Sequence, residues 1–312
     1  MSSQGEDHGR HLVLLGPTAS GKSALALELA RRLPGPAVEL LSVDSMQVYR
    51  GMDVGTAKPT AEEQAEVPHH LIDLADPADE FTVADFQLAA REALAAIEAK
   101  GHRALLVGGT GLYLRAVIDG LEMPGRWPEV RAEVEADPDT AGLHHRLAEL
   151  DPAAADRMTT SNRRRVVRAL EVTIGSGRPF SSFGPGLEAH RPAPRFRMAG
   201  VWLPRPALAA RVEARVRTML KDGLIDEVRA LAAQDSGLSR TARQALGYRE
   251  ILAHLADECT LEEAMEETVR RTKAFSRRQR MWFRRDPRIT WYGTTCDPFA
   301  VLPALLGDWG HP

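Results

Sequence analysis

One eight-residue segment has the composition of a phosphate-binding loop. Its sequence, GPTASGKS, spans residues 16–23 and fits the spacing G-x-x-x-x-G-K-[ST]. In such a loop the glycines allow backbone N–H groups to turn towards an anion, and the N-terminus of the following helix adds partial positive charge. The pattern predicts that the whole segment binds phosphate groups: Gly16, Pro17, Thr18, Ala19, Ser20, Gly21, Lys22 and Ser23.

Two side chains at the end of this segment could take part in chemistry. Lys22 would approach the terminal phosphates, and the hydroxyl of Ser23 could ligate Mg²⁺. Only five of the 40 basic residues in the chain are lysines, so the lysine of the pattern is not a product of general lysine richness. The alternative is an ordinary glycine turn, but the apolar run before the segment and the Ala/Leu-rich run after it favour a strand and a helix.

A second candidate group follows the next predicted strand. Residues 37–43 form an apolar run, and Asp44 comes directly after it. The carboxyl ends of parallel strands are where ligands bind in open α/β sheets. Asp44 could therefore cap a helix, ligate Mg²⁺ or act as a general base, and its position alone leaves the three roles open.

Two arginine-rich segments point to a polyanionic partner. The first, residues 162–168, reads NRRRVVR, and the second, residues 270–285, contains eight basic residues and no acidic one. In the second segment five basic residues recur at a spacing of three or four and are expected on one helical face, with Phe275 and Trp282 on another. The five are Arg270, Lys273, Arg277, Arg280 and Arg284. A charge run is often only a solvated surface, but two such runs in a chain of net charge −3 favour contact with nucleic acid.

Composition places the chain among ordinary globular proteins. It has 312 residues, 44% hydrophobic and 27% charged. Its two cysteines, Cys259 and Cys296, lie far apart and suggest free thiols in a reducing compartment, hence the cytoplasm. No apolar run is long enough to cross a membrane, and the polar residues 1–10 predict a disordered lead-in without the apolar core of a signal peptide. The adjacent His69 and His70 lack neighbouring ligand-type residues, so structural roles are favoured over metal binding.

The order of predicted elements indicates the fold class. Strands are expected at 11–15, 37–43 and 104–107, and they alternate with helices at 23–33, 82–100 and 112–118. This alternation predicts an α/β fold with a P-loop NTPase-like parallel sheet flanked by helices. A strand at 195–203 returns to the sheet, and a last strand is expected at 289–292. Further helices are predicted at 205–221, 223–233, 243–257, 260–285 and 297–306.

The middle of the chain interrupts this alternation. No strand pattern is evident between about residues 122 and 191, where helices are expected at 128–136, 141–150, 152–158 and 163–175. We therefore predict a helical insertion domain at 122–191 between two parts of one core, residues 1–121 and 192–312.

Taken together, these segments resemble bacterial tRNA dimethylallyltransferases, the isopentenyl transferases that modify adenosine 37 beside the anticodon. The resemblance covers nearly the whole chain in family order. It is carried by GPTASGKS (16–23), SVDSMQVY (42–49), MDVGTAK (52–58), PHHLID (68–73), VGGTGLY (107–113), RVVRALE (165–171), QALGYRE (244–250), RQ (278–279) and WFR (282–284).

The resemblance implies a reaction and a set of roles. The phosphate loop would bind dimethylallyl diphosphate, Mg²⁺ would assist, and Lys22 and Asp44 would be catalytic, with Asp44 as general base. The partner would be the tRNA anticodon stem-loop, with its adenine flipped out of the stack. The protein is expected to act as a monomer. Positions that match tRNA-contacting residues of the family are Asp44, Ser45, Met46, Gln47, Thr110, Arg131, Arg164, Arg165, Val166, Val167 and Arg168.

Two other functions share parts of this pattern. A small-molecule kinase would use ATP on the same loop with an aspartate base, but it leaves the arginine-rich segments unexplained. A non-enzymatic RNA-binding ATPase would explain those segments without transfer chemistry.

Overall fold

The computed structural model describes residues 10–184, 186, 187 and 189–310. Residues 1–9, most of the predicted lead-in, lie outside the described residues. Contacts divide the chain into two compact units. The first comprises the chain up to Ile118 and from Pro192 onwards, and the second is Asp119–Arg191, where the sequence predicted an insertion from residue 122. Within the described ranges, no helix is both long and apolar enough to span a membrane.

A parallel six-stranded sheet forms the centre of the first unit. The strands are β1 His11–Leu15, β2 Val38–Val43, β3 His69–His70, β4 Arg103–Gly108, β5 Phe196–Trp202 and β6 Thr290–Gly293. Their order across the sheet is β3-β2-β4-β1-β5-β6, and every neighbouring pair is parallel. The predicted α/β class is confirmed.

Helices cover both faces of this sheet. On β1, Leu12 and Leu14 pack into one buried cluster while Val13 and Leu15 pack into another, because successive side chains point to opposite faces. The helices of this unit are α1 Lys22–Arg32, α2 Ala61–Glu66, α3 Val83–Ala99, α4 Gly111–Ile118, α9 Arg205–Lys221, α10 Leu224–Ala232, α11 Tyr248–Leu255, α12 Leu261–Phe283 and α13 Leu302–Trp309. With β1 covered on both sides, all five of its residues are buried, as is usual for strands of parallel sheets.

The second unit is helical throughout its described part. Its helices are α5 Pro128–Ala136, α6 Thr140–Leu150, α7 Pro152–Ala155 and α8 Arg163–Ser176, followed by a 3₁₀ turn at Phe180–Phe183. Its core contains the fully buried Leu147, Val166 and Leu170. The predicted helices at 128–136, 141–150 and 163–175 are confirmed to within a residue or two, while the one expected at 152–158 ends at Ala155.

The helix predicted at 243–257 is the main error in the predicted elements. The chain instead forms a 3₁₀ turn at Ala242–Gln244, and α11 begins only at Tyr248. The interruption falls at Gly247, whose φ of 91° lies outside the helical region and suits glycine alone among common residues. Gln244, Ala245, Leu246 and Gly247 consequently form a loop instead of a helix.

The adjacent histidines have structural roles, as predicted. His69 Nδ1 lies 2.7 Å from the carbonyl oxygen of Val67, and His70 Nε2 lies 2.7 Å from Oε2 of the buried Glu39. Burial of Glu39 disfavours its ionised form, but hydrogen bonds with His70, His102 and Lys100 outweigh this and lower its pKa to about 2. The histidines thus help to keep a buried carboxylate charged.

Candidate active site

The segment predicted to bind phosphate joins β1 to α1 in a tight loop. Two of its residues have positive φ, Ala19 at 63° and Gly21 at 86°. A Cβ on Gly21 would lie 2.5 Å from Cγ of Pro298, so both the backbone angle and the available space require glycine there. Arg211 on α9 fixes the middle of the loop, because its Nε donates to the carbonyl oxygen of Ala19 over 2.8 Å.

Gln279 on α12 joins this loop to the one that follows β4. The backbone N–H of Thr18 donates to Gln279 Oε1 over 2.8 Å. Gln279 Nε2 donates to the carbonyl oxygen of Gly109 over 2.9 Å. A Cβ on Gly109 would lie only 2.4 Å from Nε2, so the glycine allows the amide to approach. Because β1 and β4 are neighbours in the sheet, this one side chain sets the separation of the loops at their carboxyl ends.

Asp44 begins the turn that follows β2. Its Oδ1 accepts the backbone N–H of Met46 over 2.9 Å, and the N–H of Ser45 donates to Thr110 Oγ1 over 3.3 Å. No helix begins at this turn, so Asp44 caps none. The turn after β2 and the loop after β4 are therefore joined through Thr110, and Asp44 keeps one carboxylate oxygen outside the turn.

Gln47 has a different environment from its neighbours in the turn. It is buried, and its Oε1 accepts from the hydroxyl of Ser42 over 2.6 Å. Its Nε2 donates to the carbonyl oxygens of Thr56 and Ala57. The side chain thus positions the loop at 52–58, and the expected tRNA contact of Gln47 stays a prediction about the exposed backbone around it.

A single carboxylate fixes the far side of the same loop. Glu227 on α10 accepts three consecutive backbone N–H groups, those of Asp53, Val54 and Gly55, over 2.7–3.0 Å. It also accepts the hydroxyl of Tyr248. These bonds leave the loop little freedom to move away from the carboxyl edge of the sheet.

These loops surround a cavity of about 610 Å³ within the first unit. It brings together many of the residues that the sequence predicted, namely Thr18, Lys22, Ser23, Asp44, Ser45, Met46, Gln47 and Thr110. Cationic side chains from α9 and α12 add to its wall, and so do apolar ones, among them Leu27, Val216, Met219, Leu224 and Phe275. The cavity therefore suits a ligand with an anionic end and an apolar end.

The cationic side of the cavity is poorly solvated. Burial of the Lys22 ammonium, together with the nearby charge of Arg215, lowers its pKa from 10.5 to about 8, while Asp44 opposes the shift. Burial also lowers the pKa of Arg215, again opposed by Asp44. Two desolvated cations thus share one nearby carboxylate, and an anionic ligand would complete the charge balance.

Several residues in this wall were not found from the sequence. Arg215 and Arg271 line the cavity, and no local pattern distinguishes them from the many other arginines of the chain. Arg271 also forms an ion pair with the buried Glu250. Arg278 and Gln279 were noted only as part of the resemblance, without a role.

The remaining predicted RNA-binding residues belong to the second unit. Arg164 and Arg165 are exposed on α8, and neither forms an ion pair within the described part of the chain. Arg131 pairs with Glu135 and Glu171. Arg168 pairs with Glu171 and donates to the carbonyl oxygens at 124 and 125, so much of its hydrogen-bonding capacity is used internally.

Val166 and Val167 correct one part of that prediction. Their side chains are 0% and 1% exposed in the core of the second unit. The helix is amphipathic, so consecutive residues of the matching segment point in different directions. A contact through these two side chains is wrong, because they hold α8 against its neighbouring helices.

The basic face predicted on α12 divides into two parts. Near its start Arg270 pairs with Glu267, and Lys273 pairs with Glu213 on α9. Towards its end Arg277, Arg280 and Arg284 have no carboxylate partner among the residues described. The expectation of one continuous basic face is therefore wrong for the first half of the helix.

The cavity also offers ligands for a divalent cation. No group of three or more His, Cys, Asp or Glu side chains at metal-binding distance occurs among the described residues. Mg²⁺ in phosphate-transfer sites commonly takes one or two protein oxygens, with water and substrate phosphates completing the shell. Ser23 and Asp44, a hydroxyl and a carboxylate on the same cavity, fit that pattern.

Fold and site together define an α/β protein with a glycine-rich anion loop and a half-apolar cavity at the carboxyl edge of its sheet. The family model described as IPP transferase matches residues 47–286. The chain belongs to this family.

Close relatives and solved structures agree over nearly the full length. The chain is 51% identical to a tRNA dimethylallyltransferase of Streptomyces coelicolor, over 95% of this chain and 94% of that protein. It is 48% identical to one of Geobacter metallireducens, over 97% and 98%. The full-length tRNA isopentenylpyrophosphate transferase of Bacillus halodurans superposes with a TM-score of 0.68 at 38% identity, covering 96% and 97%. A eukaryotic dimethylallyltransferase acting on tRNA gives 0.74 at 25% identity, covering 91% of this chain and 74% of that one.

Replacing Lys22 by alanine should weaken binding of inorganic diphosphate about 10- to 100-fold at neutral pH, the usual scale for a hydrogen bond to a charged group. The wild-type advantage should be complete well below pH 8 and should decline above it, since free Lys22 loses its proton there. Isothermal titration of both proteins between pH 6 and 9.5 measures the ratio, which cancels ionisation of the ligand itself.

Lys221→Ala provides the matched control, because Lys221 is an exposed lysine at the end of α9. It should bind diphosphate like the wild type at every pH. A Lys22→Ala variant with unchanged affinity would contradict the role of the loop in anion binding.

Replacing Gln279 by glutamate should weaken diphosphate binding roughly 5- to 100-fold. The carboxylate can still accept the N–H of Thr18, but it cannot donate to the carbonyl oxygen of Gly109 and adds a negative charge beside the loop. Gln279→Leu removes both bonds without the charge and should have a smaller electrostatic effect. Titration with diphosphate, alongside circular dichroism to verify folding, measures both. The exposed Gln234 gives a control, Gln234→Glu, for which no change is expected.

Proposed function

We propose that this protein transfers a dimethylallyl group from dimethylallyl diphosphate to N6 of adenosine 37 in tRNA and releases diphosphate. The observation that carries the proposal is the cavity itself, where Lys22, Arg215 and Asp44 meet apolar side chains in a member of the IPP transferase family. An allylic diphosphate has an anionic head and a short hydrocarbon tail, which is the combination that this wall can accommodate.

The reaction breaks one bond and forms another at the allylic carbon. The C1–O bond to diphosphate breaks, the N6–C1 bond forms, and one proton leaves N6. Negative charge develops on the departing diphosphate, where the ammonium of Lys22, the guanidinium of Arg215 and the N–H groups of the loop would stabilise it. Because these groups are held before reaction, little reorganisation is needed as the charge appears.

Proton removal from N6 falls to Asp44 in this proposal. The exocyclic amine of adenine is a poor nucleophile because its lone pair is delocalised into the ring, so loss of a proton during attack assists it. Asp44 lies in the same cavity as Lys22, with one carboxylate oxygen engaged by the N–H of Met46. That bond would fix the orientation of the carboxyl group towards the cavity.

Mg²⁺ is the cofactor that we propose, held by Ser23 with Asp44 as an alternative ligand. When bound, it would supply additional positive charge for the departing diphosphate. We further propose that the protein works as a monomer in the cytoplasm, and the two free cysteines agree with a reducing compartment.

The nucleic-acid partner that we propose is the anticodon stem-loop of tRNA. Adenosine 37 would have to leave its stack to enter the cavity, since its N6 is otherwise covered by neighbouring bases. Ser45, Met46 and Thr110 line the cavity beside Asp44 and would contact the extruded nucleotide. In the second unit, Arg131, Arg164, Arg165 and Arg168 would contact phosphate groups, with Arg164 and Arg165 having their guanidinium groups most fully available.

A direct assay separates this function from an ATP-using kinase, which none of the compared relatives supports. Purified protein is incubated with unmodified tRNA, dimethylallyl diphosphate and Mg²⁺, and the nucleosides are analysed by mass spectrometry. N6-dimethylallyl adenosine at position 37 is expected. Its absence, together with ATP-dependent phosphorylation of a small molecule, would reverse the conclusion.

Replacing Asp44 by asparagine should lower kcat by about 10² to 10⁴, the usual scale for loss of a positioned base. The amide keeps the shape of the group but accepts no proton. KM for tRNA and for the diphosphate should change little, because the lost interaction is made mainly in the transition state. Steady-state kinetics at several Mg²⁺ concentrations provide the measurement. A variant that retains its kcat but needs more Mg²⁺ would instead make Asp44 a metal ligand.

Replacing Arg164 and Arg165 together by glutamine should weaken tRNA binding and reduce the slope of log affinity against log salt by up to about 1.4–1.8. Both guanidinium groups are exposed and lack carboxylate partners within the described ranges, so they are available to phosphates. Filter binding at several salt concentrations gives the slope. The control is Arg146→Gln with Arg178→Gln, two exposed arginines of the same unit that are paired with glutamates. Equal slopes in both double variants would show that α8 presents only a solvated surface.

A further inference from the structure

A second cationic cavity lies outside the proposed active site but in the same unit. It has a volume of about 230 Å³ and is lined by Trp202, Arg205, Arg277, Arg280, Met281 and Arg284. We call these six residues the Trp202 patch. Trp202 ends β5, Arg205 begins α9, and the other four residues lie in or directly after the last two turns of α12.

The charges of the Trp202 patch are not neutralised by the protein. None of its four arginines forms an ion pair with a carboxylate in the part of the chain that the structure describes. Elsewhere, exposed arginines commonly have such partners: Arg32 pairs with Glu28, Arg229 with Asp226 and Arg270 with Glu267. Burial, with the charges of Arg205 and Arg284 adding to it, lowers the pKa of Arg280. Mutual repulsion of this kind costs free energy unless an anion relieves it.

One of these guanidinium groups is held in a fixed position. Arg280 stacks on the Trp202 ring with 3.6 Å between its Cζ and the ring centroid, and its Nη1 donates to the carbonyl oxygen of Leu203 over 3.1 Å. Trp202 is itself braced by an edge contact with Trp291 at 5.7 Å. A stacked arginine loses less side-chain freedom on binding a phosphate than a free one. The patch is thus partly organised before any ligand arrives.

The extent of the patch favours a chain of phosphates over a single small anion. Arg277, Arg280 and Arg284 span seven residues of α12, or roughly 10 Å along the axis at 1.5 Å per residue. Successive phosphates of one nucleic-acid strand advance about 3.4 Å along a duplex axis, so this row matches several of them. An isolated phosphate or diphosphate would leave part of the row without a partner.

The same helix connects this patch to the active-site cavity. Phe275, Arg278 and Gln279 line the larger cavity, whereas Arg277, Arg280 and Arg284 line the smaller one. Both cavities lie where β1 and β5, neighbours in the sheet, reach their carboxyl ends. A nucleic acid with one base in the larger cavity would therefore have its backbone within reach of the Trp202 patch.

We propose that the Trp202 patch binds consecutive phosphates of the substrate tRNA, outside the nucleotide that enters the active-site cavity. The inference rests on the proposed function, because it takes the bound polyanion to be the RNA whose base is modified. Arg205, Arg277 and Arg284 supply charge, while Arg280, fixed by Trp202, supplies a directed pair of donors.

The test is a triple variant, Arg205→Gln, Arg277→Gln and Arg284→Gln, compared with the wild-type full chain. All three side chains are exposed, so folding should be retained, and circular dichroism verifies it. Binding of unmodified tRNA is measured from 50 to 300 mM salt. The slope of log affinity against log salt should fall by about 2 to 3, with affinity at low salt reduced roughly ten-fold or more. At saturating tRNA, kcat and the affinity for inorganic diphosphate should stay at wild-type values.

A matched triple variant controls for general loss of charge. Arg32→Gln, Arg229→Gln and Arg270→Gln change net charge equally at exposed arginines that have carboxylate partners, and the slope should change little. Equal slopes in the two triple variants would overturn the proposal. So would an unchanged tRNA slope with loss of a weak site for inorganic phosphate in the patch variant, which would assign the patch to a small anion. Wild-type protein that binds tRNA without transferring a dimethylallyl group would refute the proposed function and leave this comparison of slopes intact.

Discussion

A single side-chain amide, that of Gln279, constrains the two loops on which the cavity depends. Each loop leaves a parallel strand with backbone groups that no neighbouring strand can satisfy. Gln279 supplies an acceptor to one and a donor to the other, across 261 positions of sequence in the first case. Glu227 does the same for three N–H groups of the loop at 52–58. The shape of the cavity is therefore set by helices that the chain adds last, after the sheet edge itself is complete.

With the loops fixed, the charges in the cavity acquire their chemistry from poor solvation. Lys22 and Arg215 both lie where water is scarce, and Asp44 alone offsets them among the groups that shift their pKa values. The protein thus retains an unfavourable excess of positive charge at the place where diphosphate would bind. An anion is attracted there more strongly than it would be by the same side chains in water, because the effective dielectric constant is lower.

Local sequence patterns predicted the sheet and the loop but not the full wall of the cavity. The apolar runs that became β1, β2 and β4 are short and continuous, and the glycine spacing of residues 16–23 is specific, so both were correctly placed. Arg215 could not be recognised, since its importance comes from the packing of α9 beside the loop. The error at 243–257 has a related cause: apolar periodicity favoured a helix, and the positive φ of Gly247 comes from the tertiary fold. Pairing of Lys273 with Glu213 across two helices was equally invisible in the sequence.

The arrangement of α12 explains why its basic residues differ so much in environment. Adjacent positions on a helix are about 100° apart, so Arg277 and Arg278 cannot line the same wall. The buried row Thr268, Thr272, Ser276 and Gln279 fixes the rotation of the helix against the core. Once that rotation is set, Phe275 and Arg278 must line the active-site cavity, and Arg277, Arg280 and Arg284 must line the Trp202 patch. Gln279 lies between the two sets and bonds to both loops, so a rotation of α12 that moved the patch would also displace the phosphate-binding loop. Under the proposed function, the geometry that positions an RNA backbone and the geometry that positions diphosphate are consequently one and the same constraint.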